Sequence, residues 1–381
     1  MEMNTDKSTE RITAVLVDTS AYRHANSDFI GVYSSTLPLF FEAIKEKDVL
    51  LLSHPILERE IENHITNSSI YKDHNGLSSL LRKCQKTLEY FDCHNDEYFK
   101  RIINLDIKSN TLETFSNHYS KAVRLDYPKP EVVFDQYFAV KPPFSSSKKK
   151  AEFPDAFVIQ SAKEFLLSHE NEILLVVSSD NDWKTAFSDT ENVVFCSSLS
   201  KAVAMINSID CILDSQTINE LFQTAYKDIQ DRVQFSVDCE CYDFPEYEFI
   251  EDFFTDSVKV KNISDLFDPL KITRSSMLLK STASLSVAGH GTVFDEDGSV
   301  WDSEEREYVF KSYADFCVSN GAAEVECEIL LTFDFDDPLN TVQVSKINLN
   351  NRGNIEVKAD DCDLVPVDSE TIERRILIEN Y

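Results

Sequence analysis

Five acidic residues in the first half of the sequence stand at positions where side chains often carry chemistry. Asp18 and Asp180 closely follow predicted strands, and Asp155 begins a predicted helix. Glu60 lies on a predicted helix that follows a strand, and Asp182 comes two residues after Asp180. In chain order they are Asp18, Glu60, Asp155, Asp180 and Asp182. Carboxylates that share a crevice raise each other's pKa, and hard cations such as Mg²⁺ and Mn²⁺ relieve that repulsion. Two such ions about 4 Å apart stabilise the attacking and leaving oxygens of a phosphodiester displacement.

The elements around these acids alternate between predicted strands and predicted helices. The apolar runs that predict strands are Ile12–Val17, Val49–Leu52, Ile173–Val177 and Val193–Cys196. The helical patterns between them are Leu37–Glu46, Pro55–Thr66, Asp155–Ser168 and Ser200–Ser208. Such alternation is typical of an α/β fold with a doubly wound parallel sheet that is buried on both faces. Ligands of these sheets bind beyond the carboxyl ends of the strands, so we expect the five acids to meet there.

Each acid also has an ordinary structural explanation. An aspartate after a strand is most often a turn residue or a helix N-cap. Asp155, directly after Pro154, also suits the first turn of a helix because it complements the helix dipole. Glu60 has acidic neighbours at Glu58 and Glu62 within one turn, and all three compete for the position that faces the crevice. The order of the acids along the chain, together with the strands and helices that carry them, is therefore a more specific signal for a metal site than any single acid.

The length of 381 residues predicts two domains, residues 1–208 and 209–381, because single cores rarely grow this large. Residues 67–147 break the strand–helix alternation and predict a helical insertion in the first domain. The segment "YPKPEVVFDQYFAVKPPFSSSKKK" contains four prolines and a serine run, and it predicts a long loop of the functional or mobile kind.

The second half of the sequence has a different hydrophobic pattern. The segments "RVQFSVDCECYDF", "LSVAGHGTVF", "AAEVECEILLTFDF" and "NTVQVSKINL" alternate with a period of two, which predicts half-buried antiparallel strands. In the third segment, Glu324, Glu326 and Glu328 are predicted to share one face of a strand. Residues 209–381 are therefore predicted to form a smaller β-rich or α+β accessory domain.

The net charge of −30 at pH 7 is distributed unevenly along the chain. Residues 1–208 carry 30 acidic and 23 basic side chains, whereas residues 209–381 carry 37 acidic and 14 basic ones. A strongly acidic protein repels nucleic acid at long range, so a phosphate-backbone substrate requires a local basic patch or bound cations.

The composition predicts a cytoplasmic protein without a membrane span. No run approaches the roughly 20 apolar residues that cross a bilayer, and the first residues, "MEMNTDKSTE", lack the apolar core of a signal peptide. Nine cysteines are scattered without the spacing of a zinc or redox motif, which favours reduced thiols.

Four segments resemble the motifs of PIN-domain nucleases, in the same order and on the same elements. They are "VLVDTSAY", "HPILEREIENH", "EFPDAFVIQSA" and "VVSSDNDW", and the resemblance covers about residues 10–208. The second and third segments are most similar to a larger bacterial PIN-like subgroup. The resemblance implies hydrolysis of RNA with Mg²⁺ or Mn²⁺ held by clustered acids. Together with the two-metal hypothesis, it implies in-line attack by water that leaves 5′-phosphate and 3′-hydroxyl ends.

The resemblance also assigns expected roles to individual residues. The metal-binding and catalytic acids would be Asp18, Glu60, Asp155 and Asp180, with Asp182 as an accessory metal ligand. Glu60 is preferred over its neighbours because Ile61 follows it, as an apolar residue does in the family pattern. Ser20 and Ser178 would be small polar residues on the substrate side, and Ser178 replaces the usual threonine. Trp183 stands where the family commonly has phenylalanine.

Two classes of function remain open at this point. The first is a metal-dependent endoribonuclease, for which single-stranded DNA is also a possible substrate, acting as a toxin, an antiphage effector or an RNA-processing enzyme. The second is a noncatalytic PIN-like module that binds RNA or protein, against which the retained acids argue. In either class the C-terminal domain is a candidate site for a regulatory partner or for homo-oligomer formation.

Three consecutive lysines, Lys148, Lys149 and Lys150, immediately precede the Asp155 motif. They are either a solvated loop or a contact for the scissile backbone, because positive charge beside an acidic crevice holds phosphates. If they bind substrate, replacing all three with alanine weakens RNA binding and lowers its salt dependence without changing the fold. A filter-binding titration at several salt concentrations measures both, and unchanged binding would rule the contact out.

Overall fold

The structure is a computed structural model that describes residues 11–31, 34–83, 106–144, 152–209, 211–244, 250–302, 306–351, 354–358 and 363–366. The chain divides into two compact units, Met1–Cys211 and Ile212–Tyr381, and each is treated separately below. Among the described residues, no helix combines the length and the apolar character needed to cross a membrane.

The first unit is built on a five-stranded parallel sheet with the strand order β3-β2-β1-β4-β5. The strands are β1 (Ala14–Val17), β2 (Leu50–Ser53), β3 (Val123–Arg124), β4 (Leu174–Val177) and β5 (Val193–Cys196). The described helices are α1 (Thr19–His24), α2 (Thr36–Lys47), α3 (Pro55–Thr66), α4 (Ser69–Lys83), α5 (Ile107–Tyr119), α6 (Pro130–Phe138), α7 (Phe153–Ser168), α8 (Asn181–Ala186) and α9 (Leu199–Asn207). The predicted α/β fold is confirmed.

The two strands β1 and β4 lie in the centre of the sheet and of the core of this unit. Every residue of β1 and β4 is buried, as expected for apolar strands covered by helices on both faces. The register pairs Val17 with Val177 and Leu16 with Leu52, so β1 ends level with its neighbours on both sides. The residues that follow these strands are therefore brought to one edge of the sheet.

The region predicted as a helical insertion and loop differs from that prediction in two places. Val123 and Arg124 form strand β3, which extends the sheet beside β2. The long-loop prediction is wrong for α6, because Pro130 occupies the start of a helix, where its missing N–H costs nothing. Val133 of α6 is buried in a cluster with Phe144 and Ala156, which supplies the packing that holds the helix.

The second unit combines one long helix with an antiparallel sheet, so the predicted β-rich or α+β class is confirmed. Its elements are α10 (Ser215–Val237), β6 (Tyr242–Asp243), β7 (Ile250–Ile263), β8 (Asp268–Ile272), β9 (Ser276–Asp302), β10 (Glu307–Thr332), α11 (Pro338–Thr341), β11 (Gln343–Leu349), β12 (Ile355–Glu356) and β13 (Asp363–Pro366). The main sheet has the order β11-β10-β9-β7, with β8 paired to β9 and β13 paired to β10.

The strand prediction for "RVQFSVDCECYDF" is wrong over its first half, which belongs to α10. Val233 and Val237 are four residues apart and both are buried, whereas Phe235 between them is 75% exposed. Burial at Ile229 continues the same helical face. The short window seen in the sequence fitted a period of two, and the longer helical period became visible only over the whole element.

The alternation predicted for β10 holds in part. Glu324 and Glu326 are exposed while Val325 and Cys327 are buried, as a half-buried strand requires. Glu328 is buried, although it lies on the face of the two exposed glutamates. Tertiary packing therefore covers that face of the strand at one end.

Two glycines, one on β9 and one on α4, allow a test of how closely the sheet of the second unit is packed. A Cβ atom at Gly289 of β9 would overlap the Phe253 ring and the Phe254 carbonyl, whereas no atom lies within 4 Å of the corresponding position at Gly76 of α4. We expect Gly289→Ala to lower the unfolding free energy by about 1–3 kcal/mol. Gly76→Ala should raise it by up to about 1 kcal/mol, because alanine favours the helix. Denaturant unfolding of both variants measures these changes, and a neutral Gly289→Ala variant would contradict the close packing.

Candidate active site

Asp18 occupies the carboxyl end of β1 and is 3% exposed. It is the N-cap residue of α1, and its backbone N–H donates to the carbonyl of Val177 at 2.9 Å, which ties it to β4. Its carboxylate accepts hydrogen bonds from Ser20 Oγ and from Ser178 Oγ, the latter at 2.7 Å. The two serines predicted to lie on the substrate side therefore hold the first acid in place.

Glu60 and Asp155 lie close enough to Asp18 to shift each other's ionisation. Burial raises the pKa of Asp155 to about 7, and the negative charges of Asp18 and Glu60 add to the rise. A hydrogen bond with the buried Trp183 side chain opposes this shift. Burial also raises the pKa of Glu60, opposed by a hydrogen bond from Thr19 and reinforced by Asp18. The structure thus brings the first three predicted acids together.

Asp180 and Asp182 form a second group with Glu152, the first residue of the third motif segment, to which the sequence analysis assigned no role. One ligand oxygen from each of the three carboxyl groups lies within 4.8 Å of the others. Asp180 is the N-cap of α8, and its carboxylate accepts the backbone N–H of Asp182 at 2.8 Å. Glu152 is the N-cap residue of α7 and is 8% exposed. A signal for it was present in the sequence, because Glu152 precedes Asp155 by three residues, close to one helical turn.

Two contacts link the two groups of acids. Ser178 Oγ donates to Asp18 and also accepts the backbone N–H of Asp180 at 3.0 Å. Glu152 contributes to the raised pKa of Asp155, so its charge lies near the first group. Six carboxyl groups are therefore distributed along one edge of the sheet.

The neighbours of Glu60 on α3 point elsewhere. Glu58 forms an ion pair with Arg124 of β3 at 3.8 Å, and Glu62 is exposed to solvent. His64 lies near the site, because Asp18 partly offsets the lowering of its pKa by burial and by Arg23. Of the three competing glutamates, Glu60 is the one whose charge couples to Asp18 and Asp155. Lys148, Lys149 and Lys150 lie outside the described residues.

The donor set fits hard divalent cations. All six groups are carboxylates, the oxygen ligands that Mg²⁺ and Mn²⁺ prefer. Burial is the largest cause of the raised pKa of Asp155, and the charges of Asp18, Glu60 and Glu152 add to the rise, so an excess of negative charge lies beside it. A bound cation would remove that excess, and the mutual geometry of Glu152, Asp180 and Asp182 already allows three ligands to reach one ion.

Residues 15–183 match the family model described as "PIN domain". The N-terminal unit is a PIN domain. PIN domains are generally nucleases that use divalent metal ions, and the acidic edge of this PIN domain is compatible with that chemistry. The match begins within β1 and ends at Trp183, so it spans all four motif segments, including Asp18, Glu60, Asp155 and Asp180. No curated protein matches the chain.

The raised pKa of Asp155 predicts how the stability of the metal-free PIN domain changes with pH. Between the ordinary carboxyl value of 3.8 and about 7, the folded state keeps a proton that the unfolded state loses. Stability therefore falls as the pH rises through this window, because the folded state binds more protons. In EDTA, Asp155→Asn should melt at a higher temperature than the wild type at pH 8 and show a shallower pH dependence.

The measurement is the thermal midpoint of both proteins from pH 5 to pH 8 in EDTA. Glu62→Gln provides the control, because Glu62 is exposed on α3 and should leave the pH dependence unchanged. Parallel curves for the wild type and Asp155→Asn would show that Asp155 ionises normally.

Proposed function

We propose that the chain is a metal-dependent endoribonuclease whose PIN domain hydrolyses RNA phosphodiester bonds with Mg²⁺ or Mn²⁺. The observation that carries the proposal is the convergence of Asp18, Glu60 and Asp155, from three separate elements, into one cluster in which Asp155 has a pKa of about 7. Buried carboxylates that repel each other destabilise a fold, so their retention in one place favours a functional role.

Each group of acids supplies ligands for one cation. Asp18, Glu60 and Asp155 would hold the first ion, and Asp180, Asp182 and Glu152 would hold the second. When bound, the two cations supply the positive charge that activates water and stabilises the leaving oxygen. Ser20 and Ser178 orient the Asp18 carboxylate by donating to it, which fixes the directions in which its remaining lone pairs point.

The charge of the protein supports an RNA-binding edge that depends on cations. The net charge of −30 repels a phosphate backbone, so bound metal ions provide the attraction at the site itself. Lys148, Lys149 and Lys150 precede the Asp155 motif in sequence and are proposed to hold the scissile strand. Attack in line leaves 5′-phosphate and 3′-hydroxyl ends, and single-stranded DNA is the competing substrate.

The biological setting proposed for this activity is the cytoplasm, where an RNase must be controlled. A toxin or antiphage role fits a nuclease whose chain continues into a strongly acidic second half, with 37 acidic and 14 basic side chains in residues 209–381. That charge keeps RNA away from the C-terminal unit, which is proposed to be an accessory domain that contacts a regulatory partner or a second copy of the chain.

The first test compares two glutamates on the same helix. Glu60→Gln should reduce RNA cleavage in Mn²⁺ by about a hundredfold or more, because a few kcal/mol of lost transition-state stabilisation corresponds to two or more powers of ten. Glu62→Gln, on the exposed face of α3, should cleave like the wild type. Gel assays with a labelled single-stranded RNA and the matching DNA measure both variants and identify the substrate.

Metal removal and product chemistry complete this test. EDTA should abolish cleavage, and Asp18→Asn and Asp155→Asn should behave like Glu60→Gln. A protein that binds RNA equally well with and without EDTA and never cleaves it would instead be a noncatalytic PIN-like module. Cyclic phosphate ends on the products would contradict the two-metal chemistry while leaving nuclease activity intact.

A further inference from the structure

Three exposed aromatic side chains, Tyr127, Phe134 and Phe138, lie in the segment that follows β3. They are 57%, 46% and 74% exposed, respectively. All three belong to the proline-rich stretch that begins at Tyr127. The metal chemistry proposed above uses none of these rings.

Helix α6 carries one row of apolar side chains toward the core and a second row toward solvent. Val133 is buried, and Tyr137 packs against the same cluster and against the Phe153 ring. Phe134 and Phe138 each follow a residue of the inner row, so they form an adjacent row on the exposed side of the helix. Residues four apart on a helix are neighbours, about 6 Å apart along its axis. The two exposed rings therefore lie next to each other.

The exposed row of α6 begins beside the first turn of α7. The centroids of the Phe134 and Phe153 rings are 5.6 Å apart. Phe153 stands between Glu152, the N-cap residue of α7, and Asp155. Phe134 is therefore separated by a single ring from the helical turn that carries two acids of the candidate active site.

Tyr127 lies at the same edge of the sheet as the acids. It follows β3, and β3 runs parallel to β2, so the carboxyl ends of both strands meet at that edge. Its ring centroid is 4.8 Å from that of His54, the N-cap residue of α3, and 6.5 Å from that of Phe157 on α7. Tyr127 therefore lies near the starts of the two helices that carry Glu60 and Asp155.

Two exposed lysines accompany these rings. Lys129 directly precedes α6 and Lys141 closely follows it. Neither side chain forms an ion pair with another residue in the part of the chain that the structure describes. Residues 121–141 carry four basic and three acidic side chains, whereas the whole chain has a net charge of −30. A phosphate backbone is therefore repelled less by this segment than by the chain as a whole.

Exposed aromatic rings interleaved with cations are the features that hold single-stranded nucleic acid, because bases stack on the rings while phosphates contact the cations. We infer that Tyr127, Phe134 and Phe138 form a base-stacking platform for the RNA strand next to the scissile phosphate. This inference rests on the proposed function, because the strand on the platform is the substrate of that function. Lys129 and Lys141 contact its phosphates. Every base has a π face, so the platform selects no particular sequence.

The test removes one aromatic ring and keeps an apolar side chain in its place. Phe138→Leu is the test variant, and Phe138→Tyr keeps an aromatic ring at the same position. The matched control is Phe235→Leu, because Phe235 is 75% exposed on α10 of the other unit. All three substitutions are made in the full-length protein that also carries Asp155→Asn, the parent variant, so that RNA is not cleaved during the measurement.

Fluorescence anisotropy in Mn²⁺ at 0.15 M salt measures the affinity of each variant for two labelled strands. The first is a dodecamer of uridine, and the second is a ribose-phosphate strand of the same length without bases. The parent should bind the uridine strand more tightly than the abasic strand. Phe138→Leu should bind the uridine strand about fivefold more weakly than the parent or worse, because stacking one base on a ring contributes at least about this factor.

The remaining comparisons separate stacking from a loss of folding. Phe138→Leu should bind the abasic strand like the parent, which shows that the variant is folded and that its phosphate contacts are intact. Phe138→Tyr and Phe235→Leu should bind both strands like the parent, since the first keeps a ring and the second lies outside the platform.

Four results would overturn the inference. They are equal affinity of the parent for the two strands, unchanged affinity of Phe138→Leu for the uridine strand, equal weakening of both strands by Phe138→Leu, and an equal effect of Phe235→Leu. If the wild type cleaves RNA in Mn²⁺ and any of these results is found, the platform alone is wrong. If binding depends on the bases and on Phe138 but the wild type never cleaves RNA, the nuclease alone is wrong.

Discussion

The crowding of carboxylates at a buried edge of the sheet is the constraint on which the N-terminal unit depends. Asp18, Glu60 and Asp155 come from a strand end and two helices; burial is the largest cause that raises the pKa of Asp155 to about 7, and the repulsion of Asp18 and Glu60 adds to it. A flexible protein would relieve this repulsion by letting the acids move apart. The PIN domain prevents it, because β1 and β4 are buried along their whole length and Asp18 is hydrogen-bonded to β4 through its own backbone.

The hydrophobic core and the acidic edge share residues. Trp183 is 1% exposed and packs in the hydrophobic core, yet its side chain also forms a hydrogen bond with Asp155. Ser178 is fully buried after β4 and bonds both Asp18 and the backbone of Asp180. The packing that stabilises the fold therefore also sets the directions of the carboxylates.

The sequence by itself determined four of the five strands of the parallel sheet and the acids that follow them, because both depend on local patterns: short apolar runs, and polar residues soon after them. It left Glu60 in competition with Glu58 and Glu62, and only the family pattern favoured Glu60; in the structure the charge of Glu60 acts on Asp155. Only the tertiary structure decided that Glu152 joins Asp180 and Asp182, because their approach depends on how α7 packs against the sheet. It likewise decided that β3 completes the sheet and that Phe235 belongs to a helix, since strand pairing and long-range burial are properties of distant residues and not of a short window.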